Sequence, residues 1–286
     1  MENILEETKS IMKKYNIRAN KSLGQNFLIN SEVVENIINS SEITKEDMVI
    51  EIGPGLGTLT KYLLERAGKV LCIELDSKMV KILNDRFSIY NNFEIINADV
   101  LKINLNEIIN ENKKQEKIKK VKVVANLPYY ITTPIIMKLL EEKLDIESIT
   151  VMIQKEVADR LIETPGGKNT GAITYTIYYY CDSEKIMEVP NSSFIPEPEV
   201  TSEVIKMKIR KEPVVKVENP KVMFMIIKSA FMQRRKTLLN ALTNAQVFIS
   251  KQEGIKILNK LGLNENVRAE NLTIENYAEL AKEISK

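Results

Sequence analysis

The chain has 286 residues, 44% hydrophobic and 28% charged, with a net charge of +2, two cysteines (Cys72 and Cys181), and neither histidine nor tryptophan. No apolar run approaches the roughly 18 residues of a membrane span, and two cysteines in so long a chain give no disulfide framework. Without imidazole, Ser-His-Asp and Cys-His catalysis and every His-ligated metal centre are excluded.

The polar N-terminus MENILEETKSIMKKYNIRANKS lacks the apolar core and cleavage site of a secretion signal, so a cytoplasmic protein is expected. Residues 1–210 carry 28 Lys and Arg against 31 Asp and Glu, a net of −3; residues 211–286 carry 13 against 8, a net of +5. The basic C-terminal piece admits a nucleic-acid partner, although a solvated helical surface gives similar numbers. Length predicts two domains, placed at 1–210 and 211–286. No spare apolar stripe is evident, which favours a monomer.

In chain order, apolar runs at 48–52, 69–73, 93–97, 121–125, 148–153, 185–189 and 203–209 predict strands, with helices at 57–67, 77–88 and 134–143. Strand-helix alternation predicts a parallel α/β sheet covered on both faces, with ligands at the carboxyl ends of its strands. The run KKQEKIKK at 113–120 reads as a solvated loop. Residues 211–219 read as a linker, and the segment from Pro220 has helical spacing with a proline suited to a first turn, which predicts a small helical domain.

Directly after the first of these strands, VIEIGPGLGTLT places Gly53, Gly55 and Gly57 before a helix, where glycine permits a sharp turn and close approach of a ligand. Glu74 ends the next strand, 21 residues beyond Gly53, where a carboxylate can accept hydrogen bonds from a ribose. The ligand could be NAD or S-adenosylmethionine; the spacing matches neither a G-x-G-x-x-G fingerprint nor a Walker A lysine. Asp99, after the third strand, could accept from an adenine amine, or simply serve its own loop.

The fourth strand runs into NLPYYITTP at 126–134. Asn126 offers an amide oxygen, Pro128 carries no N–H to occupy nearby carbonyls, and Tyr129 gives a flat face for stacking on a base. Such a set can clamp an exocyclic amine and turn its lone pair toward an electrophile without a strong base, as a chain without histidine requires. A proline turn capping a strand, with both tyrosines packed on the core, is the competing reading.

With these residues in view, the chain resembles the ribosomal RNA adenine dimethyltransferases of the KsgA (RsmA) type over nearly its whole length. The matching stretches are KSLGQNFL (21–28), VIEIGPGLGTLT (49–60), IELD (73–76), NADVLK (97–102), NLPYYITTPII (126–136), QKEVADRL (154–161), SFIPEPEVTSEVI (193–205) and FMQRRKTLLNAL (231–242). The resemblance implies a class I, Rossmann-like methyltransferase domain with a seven-stranded, mostly parallel sheet, followed by a small α-helical domain that contacts rRNA.

By the same resemblance, S-adenosylmethionine is the cofactor, with no metal. Asn26 and Leu28 contact its methionine end, Gly53 and Gly55 lie beneath it, Glu74 holds the ribose and Asp99 the adenine. Asn126 lies between cofactor and target amine, Leu127, Pro128 and Tyr129 complete the target pocket, and Phe194 stacks on the opposite face of the base. The implied reaction dimethylates N6 of two adjacent adenosines in a loop near the 3′ end of small-subunit rRNA, within a ribosomal subunit or its assembly precursor. The base must be unstacked to reach the pocket. Gln233, Arg234, Arg235 and Lys236 are candidates for backbone phosphates, with a solvated helix face as the alternative. Rival readings are a macrolide-resistance enzyme acting on large-subunit rRNA, a DNA adenine or protein-glutamine methyltransferase, and a non-catalytic ribosome-assembly factor.

Overall fold

A computed structural model describes residues 3–20, 24–115, 118–167 and 169–285. Lys21, Ser22 and Leu23, which open the KSLGQNFL motif, lie outside the described residues. The elements run α1 (Ile4–Lys14), β1 (Phe27–Leu28), α2 (Ser31–Ser40), β2 (Asp47–Ile52), α3 (Thr58–Arg66), β3 (Lys69–Glu74), α4 (Ser77–Phe87), β4 (Phe93–Asn97), α5 (Leu105–Gln115) and β5 (Lys120–Asn126). A 3₁₀ turn (Tyr129–Ile131) leads into α6 (Thr132–Glu141), β6 (Ser148–Gln154), α7 (Lys155–Ile162), α8 (Ala172–Tyr180), β7 (Cys181–Val189), β8 (Phe194–Ile195) and β9 (Ser202–Ile209). Then come α9 (Pro220–Phe231), α10 (Leu238–Asn244), α11 (Lys251–Lys260) and α12 (Ile274–Ile284).

All seven expected strands are present, and they form one sheet in the order β4-β3-β2-β5-β6-β9-β7. Pairing is parallel from β4 through β6, and β9 runs antiparallel to β6. The run 121–125 lies wholly inside the buried sheet, as a strand covered on both faces must. Because the chain passes from β2 to β3 and β4 on one side and then returns to β5 on the other, a crevice opens at the carboxyl end of β2. The registers Ile52↔Ile73, Glu74↔Asn97 and Glu51↔Val124 bring the ends of β2 to β5 to one edge.

KKQEKIKK departs from the reading as a loop. Lys113 and Lys114 belong to the last turn of α5, where cations suit the helix dipole, and Lys120 opens β5. Residues 116 and 117 lie outside the described residues. The two-residue strands β1 and β8, which pair antiparallel, were not expected, being too short to show a period.

Contacts divide the chain into two compact units, Met1–Ala158 with Glu184–Ile209, and Asp159–Ser183 with Arg210–Lys286. Asp159–Ser183, inside the first domain of the sequence reading, packs with the second unit through its tyrosines. Tyr175 is fully buried there, its hydroxyl donating to the Leu272 carbonyl at 2.6 Å, while its ring meets that of Tyr277 edge-on at 4.9 Å. Residues 211–219 carry no helix or strand, and α9 begins at Pro220 with Asn219 as its cap.

Gly57 caps α3 in the left-handed conformation, with φ of 83°. A Cβ there would lie 2.4 Å from the ring of Phe87 and 2.8 Å from Leu83, both buried on α4. Gly57→Ala therefore meets both backbone strain and a packed core, and is expected to cost about 2–4 kcal/mol in urea unfolding. An unchanged midpoint would show that the turn relaxes freely.

Candidate active site

The crevice is a cleft of about 1050 Å³, its open mouth included. Its walls come from the strap Gly24–Leu28, the loop after β2 (Gly53, Pro54, Gly55), the ends of β3 (Glu74, Leu75) and β4 (Asp99), and the loop after β5 (Asn126 to Ile131). Gly53 and Gly55 both adopt positive φ, 66° and 57°. A Cβ on Gly53 would meet nothing nearer than Pro128 at 3.8 Å, so a side chain there would project into the space between the two loops.

The strap orients the amide of Asn126. Asn126 Nδ2 donates to the Asn26 carbonyl at 3.3 Å, which leaves Oδ1 as the acceptor for a ligand. The strap is fixed in turn: Asn26 Nδ2 donates to Gly24 O, Gln25 Nε2 donates to Asp76, and Phe27 and Leu28 pair with Ile195 and Phe194. Pro128's own carbonyl is occupied, accepting from Ile131 N–H and the Thr132 hydroxyl. The carbonyl adjoining the amide that remains as a second acceptor is therefore that of Leu127. Tyr129 lines the cleft, its phenol raised above the usual range by burial. Tyr130 stands 54% exposed at the lip.

Three carboxylates face this space. Glu74 is 7% exposed; its Oε2 accepts from Gly55 N–H at 3.2 Å and its Oε1 from Asp76 N–H at 2.8 Å. Burial nevertheless holds its pKa above the ordinary value, against the pull of those backbone donors. Asp99 Oδ1 accepts from Leu101 N–H, and Lys102 lies 3.6 Å from its other oxygen. Glu51, which the sequence reading did not single out, is 2% exposed in the cleft wall. Its carboxyl accepts from the Thr60 hydroxyl at 2.6 Å and the Cys72 thiol at 3.5 Å, and burial pushes its pKa up to about 7. A charged residue interrupting the apolar run just before the glycine turn was the available signal.

Asn26, Leu28, Gly53, Gly55, Glu74, Asp99, Asn126, Leu127, Pro128 and Tyr129 thus share one cleft. Phe194 is not among its lining residues. It is 1% exposed, paired with Leu28 and packed in the same core as Val34 and Leu59, so its ring has no face toward the cleft in this structure. Gln233, Arg234, Arg235 and Lys236 occupy the turn between α9 and α10, not a helix face. Arg234 donates to the Thr170 carbonyl, Gln233 accepts from Asn244, and Arg235 and Lys236 are exposed. No cluster able to hold a metal occurs among the described residues.

Residues 16–286 match the family model described as ribosomal RNA adenine dimethylase. A curated relative from Alkaliphilus metalliredigens, "Ribosomal RNA small subunit methyltransferase A", is 48% identical over 98% of this chain and 96% of its own length. A Clostridium botulinum (strain Okra) protein of the same name is 48% identical over 96% of this chain and 97% of its own. Among solved structures, a dimethyladenosine transferase from Plasmodium falciparum superposes with a TM-score of 0.75 at 27% identity, covering 91% of this chain and 97% of the other. The 23S rRNA methyltransferase ErmE superposes at 0.66 with 22% identity over 91% of this chain and 100% of its own, a likeness of fold.

Glu51 has a measurable signature. Its folded pKa of about 7 lies above the ordinary carboxyl value of 4.5, so the stability it contributes is present below pH 4.5 and lost as pH rises through 7. Across that window the ligand-free protein should lose on the order of a few kcal/mol relative to Glu51→Gln. Parallel pH profiles of unfolding midpoint for the two proteins would refute this assignment.

Proposed function

Because the chain belongs to the ribosomal RNA adenine dimethylase family, we propose that it transfers methyl groups from S-adenosylmethionine to N6 of two adjacent adenosines in the 3′-terminal hairpin loop of small-subunit rRNA, acting in the cytoplasm on a ribosomal subunit or its precursor. The full-length likeness to small-subunit enzymes supports that choice of substrate over large-subunit rRNA. No described helix is long and apolar enough to cross a membrane.

The cleft suits the cofactor. Glycines 53 and 55 keep its floor free of side chains, Glu74 presents a carboxylate at the end of β3, and Asp99 presents another at the end of β4. With S-adenosylmethionine bound, Gly53 and Gly55 would line the methionine side with Asn26 and Leu28, Glu74 would accept from ribose hydroxyls and Asp99 from the adenine amine. S-adenosylmethionine, when bound, supplies an electrophilic methyl carbon on a sulfonium centre.

The chain's own residues prepare the nucleophile. The N6 lone pair of adenine is delocalised into the ring; Asn126 Oδ1 and the Leu127 carbonyl accept its two hydrogens, and the amine turns so that the lone pair points out. Tyr129 stacks on the base with Pro128 beside it, holding the near-attack orientation. Phe194 could cover the other face only after leaving its core position, so its contribution requires a rearrangement of β8. The single observation that carries this reading is the Asn126–Asn26 hydrogen bond, which aims an oxygen at the cleft in a chain without histidine.

Incubation with labelled S-adenosylmethionine and unmethylated small subunits should yield N6,N6-dimethyladenosine; label confined to large subunits would overturn the assignment. Asn126→Ala should lower the rate at least 100-fold with cofactor affinity changed less than about threefold, whereas Glu74→Ala should weaken cofactor binding at least tenfold. Arg235→Ala and Lys236→Ala should each reduce the slope of log affinity for subunits against log salt by about 1 if they touch phosphates.

A further inference from the structure

Tyr129 does not float at the cleft wall. Its hydroxyl and that of Ser202, 73 residues later, share a hydrogen bond of 2.6 Å. Ser202 is fully buried at the start of β9, opposite Gln154 of β6, and the carbonyl just before it, on Thr201, accepts from Lys155 N–H at 3.0 Å. It is therefore held against β6 by backbone pairing and has little freedom of its own.

A tyrosine ring turns about two torsions, and a stacking surface is useful only in one plane. The hydroxyl lies on the axis of the second torsion and farthest from the pivot of the first, so a hydrogen bond at the ring's tip fixes the swing about the first torsion and with it where the ring lies. We propose that Ser202 is a positioning residue for methyl transfer: through Tyr129 it fixes the placement of the ring on which the target adenine stacks, three residues from the amide that binds the amine. This rests on the reading of Tyr129 as the stacking face. It assigns a role to β9, an element that contributes no lining residue to the cleft.

The test is a double-mutant cycle on small-subunit methylation with Ser202→Ala, Tyr129→Phe and the double variant, alongside the affinity of each for S-adenosylhomocysteine. Each single change should lower kcat about tenfold with KM for subunits and product affinity within about twofold, and the double variant should be no slower than either single one. Additive losses, an unchanged kcat, or a loss of cofactor-site affinity matching the loss of rate would overturn the proposal. If Ser202→Ala does not fold, Tyr129→Phe decides alone: wild-type kcat refutes the link, a loss at unchanged melting temperature supports it. Absence of methylated adenosine with the wild-type protein sinks this inference together with the function; wild-type methylation with an unaltered Ser202→Ala enzyme sinks this inference alone.

Discussion

A carboxamide can present either its oxygen or its nitrogen to a ligand, and here one hydrogen bond decides between them. The Asn26 carbonyl takes the nitrogen of Asn126, so the oxygen faces the cleft. Much else in the first unit serves that choice. The strap bearing Asn26 is pinned to β8 by a two-residue ladder, to Asp76 by Gln25, and against the tyrosine turn at Gly24, where a Cβ would come within 3.4 Å of Tyr130. The parallel sheet supplies the other constraint, since its registers deliver Glu51, Glu74 and Asn126 to the same edge.

The electrostatics follow from the absence of imidazole. With no group that ordinarily titrates near neutrality, the cleft relies on fixed acceptors and on carboxyls whose charge is costly to hold in a buried wall. Glu51 and Glu74 are both raised by burial, and Glu74 adds to the upward push on Glu51. A cationic ligand near these groups favours their ionised forms, while a neutral thioether gives less.

Much of this was legible in the sequence because it is local. Strands buried on both faces appear as apolar runs, and the glycine turn, Glu74, Asp99 and NLPY each follow their strand at a distance set by the chain. What stayed hidden depends on pairings between distant residues. Phe194 carries a strong motif, yet its ring is committed to the core by pairing across 166 residues with Leu28, which no local pattern encodes. The tyrosines of α8 carry no local signal of their own, and their partners Leu272 and Tyr277 place that helix in the second unit. Ser202 lies just before the expected strand at 203–209, and nothing local ties it to Tyr129, 73 residues earlier.

The place of β9 in the sheet has a consequence for biosynthesis. Between β6 and β7 lies a strand made after both, so a nascent chain that ends before residue 202 leaves the edge of β6 bare and the Tyr129 hydroxyl without its mate. An uncovered edge beside an apolar strand invites pairing with another chain. The parallel core can assemble as it emerges, whereas the Tyr129 wall of the cleft waits for the last strand of the sheet to be threaded into its gap.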